Sequence, residues 1–375
     1  MMRRLTNSWQ IVVAMVLVIV AAGRPLADGA NSEGTGSLVI SALLILTSLG
    51  AAITLERGMT VLRAFILVVG AHLGAYLLLK SLAGHEGEMS TAFFLLVGAS
   101  WALGWASVTA LSAIDARTQA ANWLLRLLIP ALFGAWILIL WEAATRGFGV
   151  PFILLPPPSS IGARLVNSLP ILAADVRQTI FKAVLFGYVV GSASGFAVAI
   201  LADRVDFLRR GLMPIGNFVS ALPIIGVAPI MVMWFGFDWQ SKAAVVIIMT
   251  FFPMLVNTVS GLAASGNMER DLMRTYASSY GQTLLKLRLP AAMPFIFNAL
   301  KINSTLALIG AIVAEFFGTP IVGMGFRIST EIGRLNVDMV WAEIAVAALA
   351  GSVFYGVIAL IERATTFWHP SIRGG

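Results

Sequence analysis

The stretch NMERDLMRTYASSYGQTLLKLRLPAAMP, residues 267–294, is a polar, basic island inside a chain that is otherwise almost all apolar. Its charged groups cannot stay in hydrocarbon, so it must leave a bilayer and meet something in water. The rest of the chain requires that bilayer. Hydrophobic residues make up 59% and charged residues only 11%, well above the usual apolar share of about 45–50% for soluble domains. The mean hydropathy of +0.90 identifies a polytopic, all-α membrane helix bundle.

Several chemistries are excluded at this level. There is no cysteine, hence no disulfide, thiol chemistry or Cys-ligated metal. His72, His85 and His369 stand far apart without a second ligand at helical spacing, so no metal site is expected, and His72 reads as a helix-packing residue. The net charge of +7 is spread over short loops and forms no basic patch, which speaks for membrane orientation and against nucleic-acid binding.

Working outward from the island, the apolar runs predict about ten spans arranged as four plus six. The first, at 11–22 behind a basic start, is short and can be read as a cleaved signal or a retained span; a retained span fits the helices that follow. Further spans are expected at 37–55, 61–79 and 91–114, and this N-terminal region, 1–118, carries no chemistry that can be named. A linker is expected at 115–126. Beyond it, region 119–375 has spans predicted at 123–144, 179–202, 214–235, 243–262, 291–316 and 340–361. The run LPPPS at 155–159 is expected to be extended, since successive prolines lack N–H donors. With Met1 in the cytoplasm, about fifteen Lys and Arg fall on the cytoplasmic side against about nine outside. That orientation places both termini and the island in the cytoplasm.

Other features of the six-span region call for physical readings. Gly187, Gly191 and Gly195 lie on one helix face and permit close backbone approach, as ordinary packing requires. Pro214, Pro223, Pro229 and Pro253 each remove a backbone donor and suggest a bundle around a water-accessible path. Pro320, Gly323 and Gly325 predict an irregular loop after the 291–316 helix. Polar groups inside spans are costly and mark function. The candidates for the path are Ser220, Thr250, Asn257, Asn303 and Glu315, with Glu315 expected to pair with Arg327 or Arg334 in a structural contact. Arg177 and Lys182 are expected to snorkel to headgroups.

Within the island, Asn267 can cap a short amphipathic helix reaching about Ala277, with Glu269 and Asp271 in its first turn and Arg270 and Arg274 as a basic i,i+4 pair. A turn at 277–281 leads to a second helix from Gln282, which Pro290 and Pro294 should separate from the next span. Such a pair of helices under the membrane needs a docking partner.

At these residues the chain resembles the cytoplasmic signature loop of binding-protein-dependent ABC importer permeases. Asp271-Leu-Met273 stands where that family usually has Glu-Ala-Ala, Ala277 where it usually has glycine, and Leu289-Pro290 with Pro294 fits its Leu-Pro. The branch handling sulfonates, taurine, nitrate and pyrimidine-like vitamin precursors is also resembled by LPPPS at 155–159, by PIGNFVSALPIIGVAPIMVMWFG at 214–236, by Phe251-Phe-Pro253 with Asn257, and by Ala314-Glu315 followed by Gly323-Met-Gly325. It covers about 123–369 and leaves the first four spans outside.

The resemblance implies a type I importer permease core in a bacterial inner membrane, normally a homodimer working with an ABC ATPase dimer and a periplasmic or extracellular solute-binding protein. Its coupling loop, 266–290, would use Asp271, Arg274, Thr275, Tyr276, Ala277 and Ser278, with Leu289 and Pro290 holding the geometry. The chain has no Gly-x-x-x-x-Gly-Lys-Ser/Thr loop, so no cofactor is expected and ATP belongs to the partner. Substrates of the branch are small anions or pyrimidine- and riboflavin-like heterocycles; the wording of 272–279 and 316–320 leans towards the heterocycles. Two other classes are weighed. A secondary transporter would need carboxylates near the midplane, and a membrane-embedded enzyme would need paired catalytic groups; the sequence has neither cluster.

Overall fold

A computed structural model describes residues 9–27, 35–115, 118–220, 223–318 and 321–368, with no side-chain description at 35, 217 and 220. All regular structure among them is helical, apart from one isolated bridge between Ala27 and Met89. Eight helices are long and apolar enough to cross a membrane, and two further apolar helices are shorter. The chain is a multi-pass helical membrane protein. It divides into two compact units, Met1–Ile161 and Gly162–Gly375.

The first unit contains α1 (Trp9–Ala21), α2 (Thr35–Glu56), α3 (Thr60–Ser81), α4 (Thr91–Ser112) and α5 (Gln119–Gly147). At 1.5 Å per residue α1 extends only about 20 Å, short of a hydrocarbon core of about 30 Å. α4 is the most enclosed helix of this unit, burying Phe93, Leu96 and Leu103. The expected linker at 115–126 is mostly helix: Thr118 accepts a hydrogen bond from Ala121 N–H and starts α5 at Gln119. His72 packs its ring against Trp136, centroids 5.4 Å apart, and its Nδ1 meets the Val68 carbonyl at 2.7 Å. The proline run is extended only in part, because α6 (Pro158–Asn167) begins on its third proline; the first helical position needs no N–H. Glu142 holds that helix start, accepting from Ser159 N–H (2.8 Å) and Oγ (2.7 Å), and Arg146 ties Glu142 to Glu86.

In the second unit, α7 (Leu169–Val176) runs through a π-helical segment (Arg177–Val184) into α8 (Leu185–Arg204). The span expected at 214–235 is instead two helices, α9 (Asp206–Ser220) and α10 (Ile224–Phe235). Pro223 lies immediately before α10 with extended backbone (φ −69°, ψ 118°), so the chain turns here and cannot continue as one span. α11 (Trp239–Ala263) is followed by α12 (Asn267–Thr275), the single turn α13 (Tyr280–Thr283), a second π segment (Leu284–Arg288) and α14 (Leu289–Glu315). The expected break at Pro290 does not occur. The helix widens to π geometry just before the proline and continues through both prolines, a known way for a helix to absorb a missing donor. α15 (Met324–Gly333) and α16 (Val337–Thr365) complete the unit.

α11 is the axis of this unit, packed between α8 and α14. The glycine stripe makes the first contact possible: a Cβ on Gly187 would lie 2.8 Å from the Ala243 carbonyl oxygen and one on Gly191 2.8 Å from that of Ile247, while one on Gly195 would strike the Phe251 carbonyl. Where helices touch through backbone, no side chain is needed to fill the gap, and dispersion contacts hold them in lipid. Asn303 of α14 then bridges all three helices, donating to Ser192 Oγ (3.0 Å) and to the Thr250 carbonyl (2.8 Å).

Candidate functional site

Residues 267–288 of the island form an exposed to half-exposed platform between the end of α11 and the start of α14. Gly266, and not Asn267, precedes the first helical residue of α12, and the Glu269 carboxylate folds back over Gly266. Met268, Leu272 and Tyr276 recur every four residues and are 83%, 55% and 76% exposed. They form one apolar stripe on a short helix with no buried residue. Asp271, Arg274 and Thr275 are exposed beside it; Arg274 sits 3.7 Å from Asp271 in a solvent-screened pair that contributes little.

Arg270 does not pair with Arg274 on the surface. It turns back to donate to Ser265 Oγ (2.7 Å) and to the Leu262 and Ala263 carbonyls (3.2 and 2.8 Å). Those carbonyls belong to the last turn of α11, which lacks intrahelical donors, so Arg270 supplies them and fixes the take-off of α12.

The turn follows the same logic. Ala277 has φ +53°, a left-handed conformation that costs a residue with a Cβ about 1–2 kcal/mol. That is why a glycine suits this position, and Ala277 occupies it under strain. Ser278 N–H bonds the Met273 carbonyl (3.0 Å), closing α12. Ser279 and Gln282 then exchange side-chain and backbone bonds (3.3 and 2.8 Å) as a capping box that starts α13.

The platform is anchored by Asp203, the penultimate residue of α8. Arg288 grips its carboxylate through both terminal nitrogens (2.6 and 2.5 Å) and also donates Nε–H to the Leu262 carbonyl (3.0 Å). Tyr280 donates its hydroxyl to the same carboxylate (3.0 Å). One guanidinium thus links the ends of α8 and α11 to the start of α14, while Leu289 and Pro290 are half-buried behind it.

A second polar site lies at the opposite ends of α11 and α14. Glu315 is buried; its carboxylate accepts from Thr179 Oγ1 (2.7 Å) and Gly325 N–H (2.7 Å). The expected partners Arg327 and Arg334 are elsewhere: Arg327 pairs with Asp175 (2.9 Å) and Arg334 with Glu331 (3.2 Å). Burial at the tip of α14 leaves Glu315 facing α15's first amides, so backbone and hydroxyl donors satisfy it. Asp175 Oδ1 accepts from Gly323 N–H (2.6 Å) and Thr179 Oγ1 from Met324 N–H (2.9 Å). Three successive amides at the start of α15 are therefore satisfied by side chains from α7, the π segment and α14, where negative charge is favoured. The fully buried Lys242 donates to the Phe237 carbonyl (2.6 Å), the Gly318 carbonyl and Ser241 Oγ. Lys182 bonds Gln178 (2.9 Å), so it is held in this network and is not simply reaching for headgroups. Asp238, ahead of α11, is partly desolvated, which alone would raise its carboxyl. Hydrogen bonds from Gln178 and Trp239 N–H and the charges of Lys182 and Lys242 outweigh this and hold it below the usual carboxylate range.

The proposed path residues are dispersed. Thr250 and Asn303 are buried between α8, α11 and α14. Asn257 donates to the Pro253 carbonyl (2.8 Å) and meets Asn298 at 3.4 Å. Ser220 ends α9, and its side chain lies outside the described residues, as does Pro320. A cavity of about 100 Å³ opens beside α10 and α11, lined by apolar side chains including Ile224, Met249, Phe252 and Leu306. None of the polar candidates whose side chains are described lines it. Among the described residues no group of His, Asp and Glu could hold a metal ion.

With this geometry in hand, comparison with known proteins is informative. Residues 183–367, from the π segment through α16, match the family described as "Binding-protein-dependent transport system inner membrane component". The formylaminopyrimidine transport permease protein ThiX of Halalkalibacterium halodurans is 30% identical over 64% of this chain and 95% of its own length. The chain belongs to this family of ABC importer permeases. The riboflavin transport system permease protein RibX of Chloroflexus aurantiacus is 27% identical over 63% of the chain and 88% of that relative. The putative aliphatic sulfonates transport permease protein SsuC of Bacillus subtilis is 28% identical over 68% and 90%. Each relative is aligned over most of its own length while about a third of this permease remains outside the alignment.

Sequence reasoning did not single out Asp203, Asp175 or Lys242. The last two had a signal: each is a charge at the edge of an apolar run, where a partner is obligatory.

Proposed function

We propose that this permease forms half of the translocation path of an ATP-driven importer and couples to a separate ATPase through the platform 266–290. The supporting observation is the exposed stripe Met268, Leu272 and Tyr276 on a helix held to the end of α11 by Arg270, with the π segment that follows held to α8 and α11 by Arg288. An apolar face that neither lipid nor its own chain covers suits a protein groove, and a pinned helix can transmit force. Asp271, Arg274, Thr275, Tyr276, Ala277 and Ser278 form the contact, with Leu289 and Pro290 behind it.

In this reading the platform and both termini are cytoplasmic, the core is 119–375, and 1–118 is an added membrane region. Two copies pair, a solute-binding protein delivers substrate, and ATP is bound only by the partner, so the chain itself is not an enzyme. Ser220, Thr250, Asn257, Asn303 and Glu315 serve the path, the buried ones by setting helix positions. The substrate is a small organic molecule, either a sulfonate- or nitrate-type anion or a pyrimidine- or riboflavin-like heterocycle. The names of ThiX, RibX and SsuC span both groups.

Co-purification with a co-expressed ABC ATPase subunit, in detergent or nanodiscs, tests the coupling. The parent chain should retain the ATPase, and Asp271→Lys or Ala277→Glu should lose it. Failure of the unsubstituted permease to bind any ATPase would refute the proposal. A thermal-shift screen of the cognate binding protein assigns the substrate.

A further inference from the structure

An open groove of about 450 Å³ runs between α3 and α5 in the first unit. His72, Tyr76 and Lys80 recur every four residues on one face of α3. One turn before Tyr76, His72 packs on Trp136 of α5 and holds the two helices together. Tyr76 and Leu79, with Leu138 and Ile139 of α5, form the apolar walls; Tyr76 and Leu138 are 61% and 50% exposed. Lys80, Glu142, Arg146 and Ser159 line the other end. Lys80 and Arg146 are the penultimate residues of helices long and apolar enough to cross a membrane. The 22 residues of α3 extend about 33 Å, so Lys80 stands at the level where hydrocarbon gives way to headgroups.

The charges at the polar end are unevenly satisfied. Arg146 donates to Glu86 (2.8 Å) and to Glu142 (3.2 Å), and Glu142 also accepts from the Ser159 N–H and hydroxyl. These groups complete one another. Lys80 is exposed, and among the described residues no carboxylate lies within ion-pair distance of its ammonium. Taken together, Lys80 and Arg146 balance Glu86 and Glu142, so a headgroup without net charge leaves this end neutral. Water could solvate the ammonium, but it is a poor cover for the apolar walls that begin one turn away. A molecule with a phosphate at one end and a hydrocarbon chain at the other satisfies both.

We propose that this groove binds one zwitterionic phospholipid, with an acyl chain between Tyr76 and Leu138 and the headgroup phosphate accepting from the Lys80 ammonium. Every residue of the groove precedes the family match at 183–367, so the site belongs to the part of the chain that the family does not account for. It lies in the first unit and stands whether or not an ATPase docks on the platform of the second.

Native mass spectrometry of the full-length permease, delipidated in detergent and titrated with dioleoylphosphatidylethanolamine, tests this. The parent should hold one copy of the lipid more tightly than any that follow. Lys80→Met keeps the stem and removes the charge, and it should weaken that first binding about fivefold or more. Leu138→Trp, which fills the groove, should weaken it as much, whereas Arg209→Met, which removes an exposed cation of α9, should leave it unchanged. Dioleoylglycerol has the same chains and no phosphate and should not occupy the site; inorganic phosphate should not displace the lipid. If either groove variant does not fold, the comparison of the two lipids on the parent decides alone. A first copy held no more tightly than later ones, equal binding of dioleoylglycerol, displacement by inorganic phosphate, or parent-like binding in folded Lys80→Met or Leu138→Trp overturns the proposal.

Discussion

Removing Arg288 should release the exposed platform while leaving the helix bundle standing. In the structure its guanidinium makes two bonds of 2.6 and 2.5 Å to Asp203 and a third to the Leu262 carbonyl, with side-chain exposures of 14% and 6% for the two partners. Removing one member of a buried ion pair typically costs about 3–5 kcal/mol, because the other is left charged and unpaired. Here Tyr280 still donates to Asp203 and some water reaches the pair, so about 2–4 kcal/mol is expected for Arg288→Ala. At about 1.4 kcal/mol per factor of ten, local opening of the segment should increase roughly 30- to 700-fold.

Hydrogen–deuterium exchange measured across 262–290 in nanodiscs reads this directly, with 185–202 as an internal reference. Arg288→Lys should fall between parent and Ala, since an ammonium keeps the charge but not the planar fork. Replacing both partners, Asp203→Leu with Arg288→Met, should recover much of the loss, because no buried charge is orphaned. If Arg288→Ala exchanges like the parent across 262–290, the pair is a surface contact and the platform is not held by it.

Three further outcomes are expected. Ala277→Gly removes the left-handed strain but adds unfolded-state entropy, so a net gain of about 0.5–1 kcal/mol should appear as slower exchange at 273–279. Gly191→Leu would drive a side chain into the Ile247 backbone and Thr250, costing about 3 kcal/mol or more, and should lower the melting temperature and the yield of folded protein, whereas Gly162→Ala, with open space around it, should change neither. Because the folded protein depresses the Asp238 carboxyl, its contribution is present above the normal carboxylate range and is lost as pH falls through the lowered folded value. Thermal melts on the acid side should therefore show a shallower decline in Asp238→Asn.

What could be read in advance follows from how far apart the interacting residues are. The spacing of Gly187, Gly191 and Gly195 predicts a close helix contact because helical periodicity is a local property, and the contact with α11 is there. The polarity of 267–288 likewise suffices to place that stretch on the surface, where no residue of it is buried. Turn chemistry was only half legible: the glycine expected at position 277 has a cause in the φ of +53°, but an alanine there hides it. Pro290 misleads for a related reason, since a proline announces a missing donor without saying whether a π segment will absorb it. The buried polar cluster was least legible. Glu315 stands out as a charge near a span end, yet its partners Thr179 and Gly325 come from different elements, and Asp175 meets Arg327 across 152 positions. An isolated charge in an apolar run reveals that a partner must exist, because hydrocarbon offers none. Which partner it finds is decided by helix packing, as the pairing of Asp175 with Arg327 and of Glu315 with Thr179 and the Gly325 amide shows.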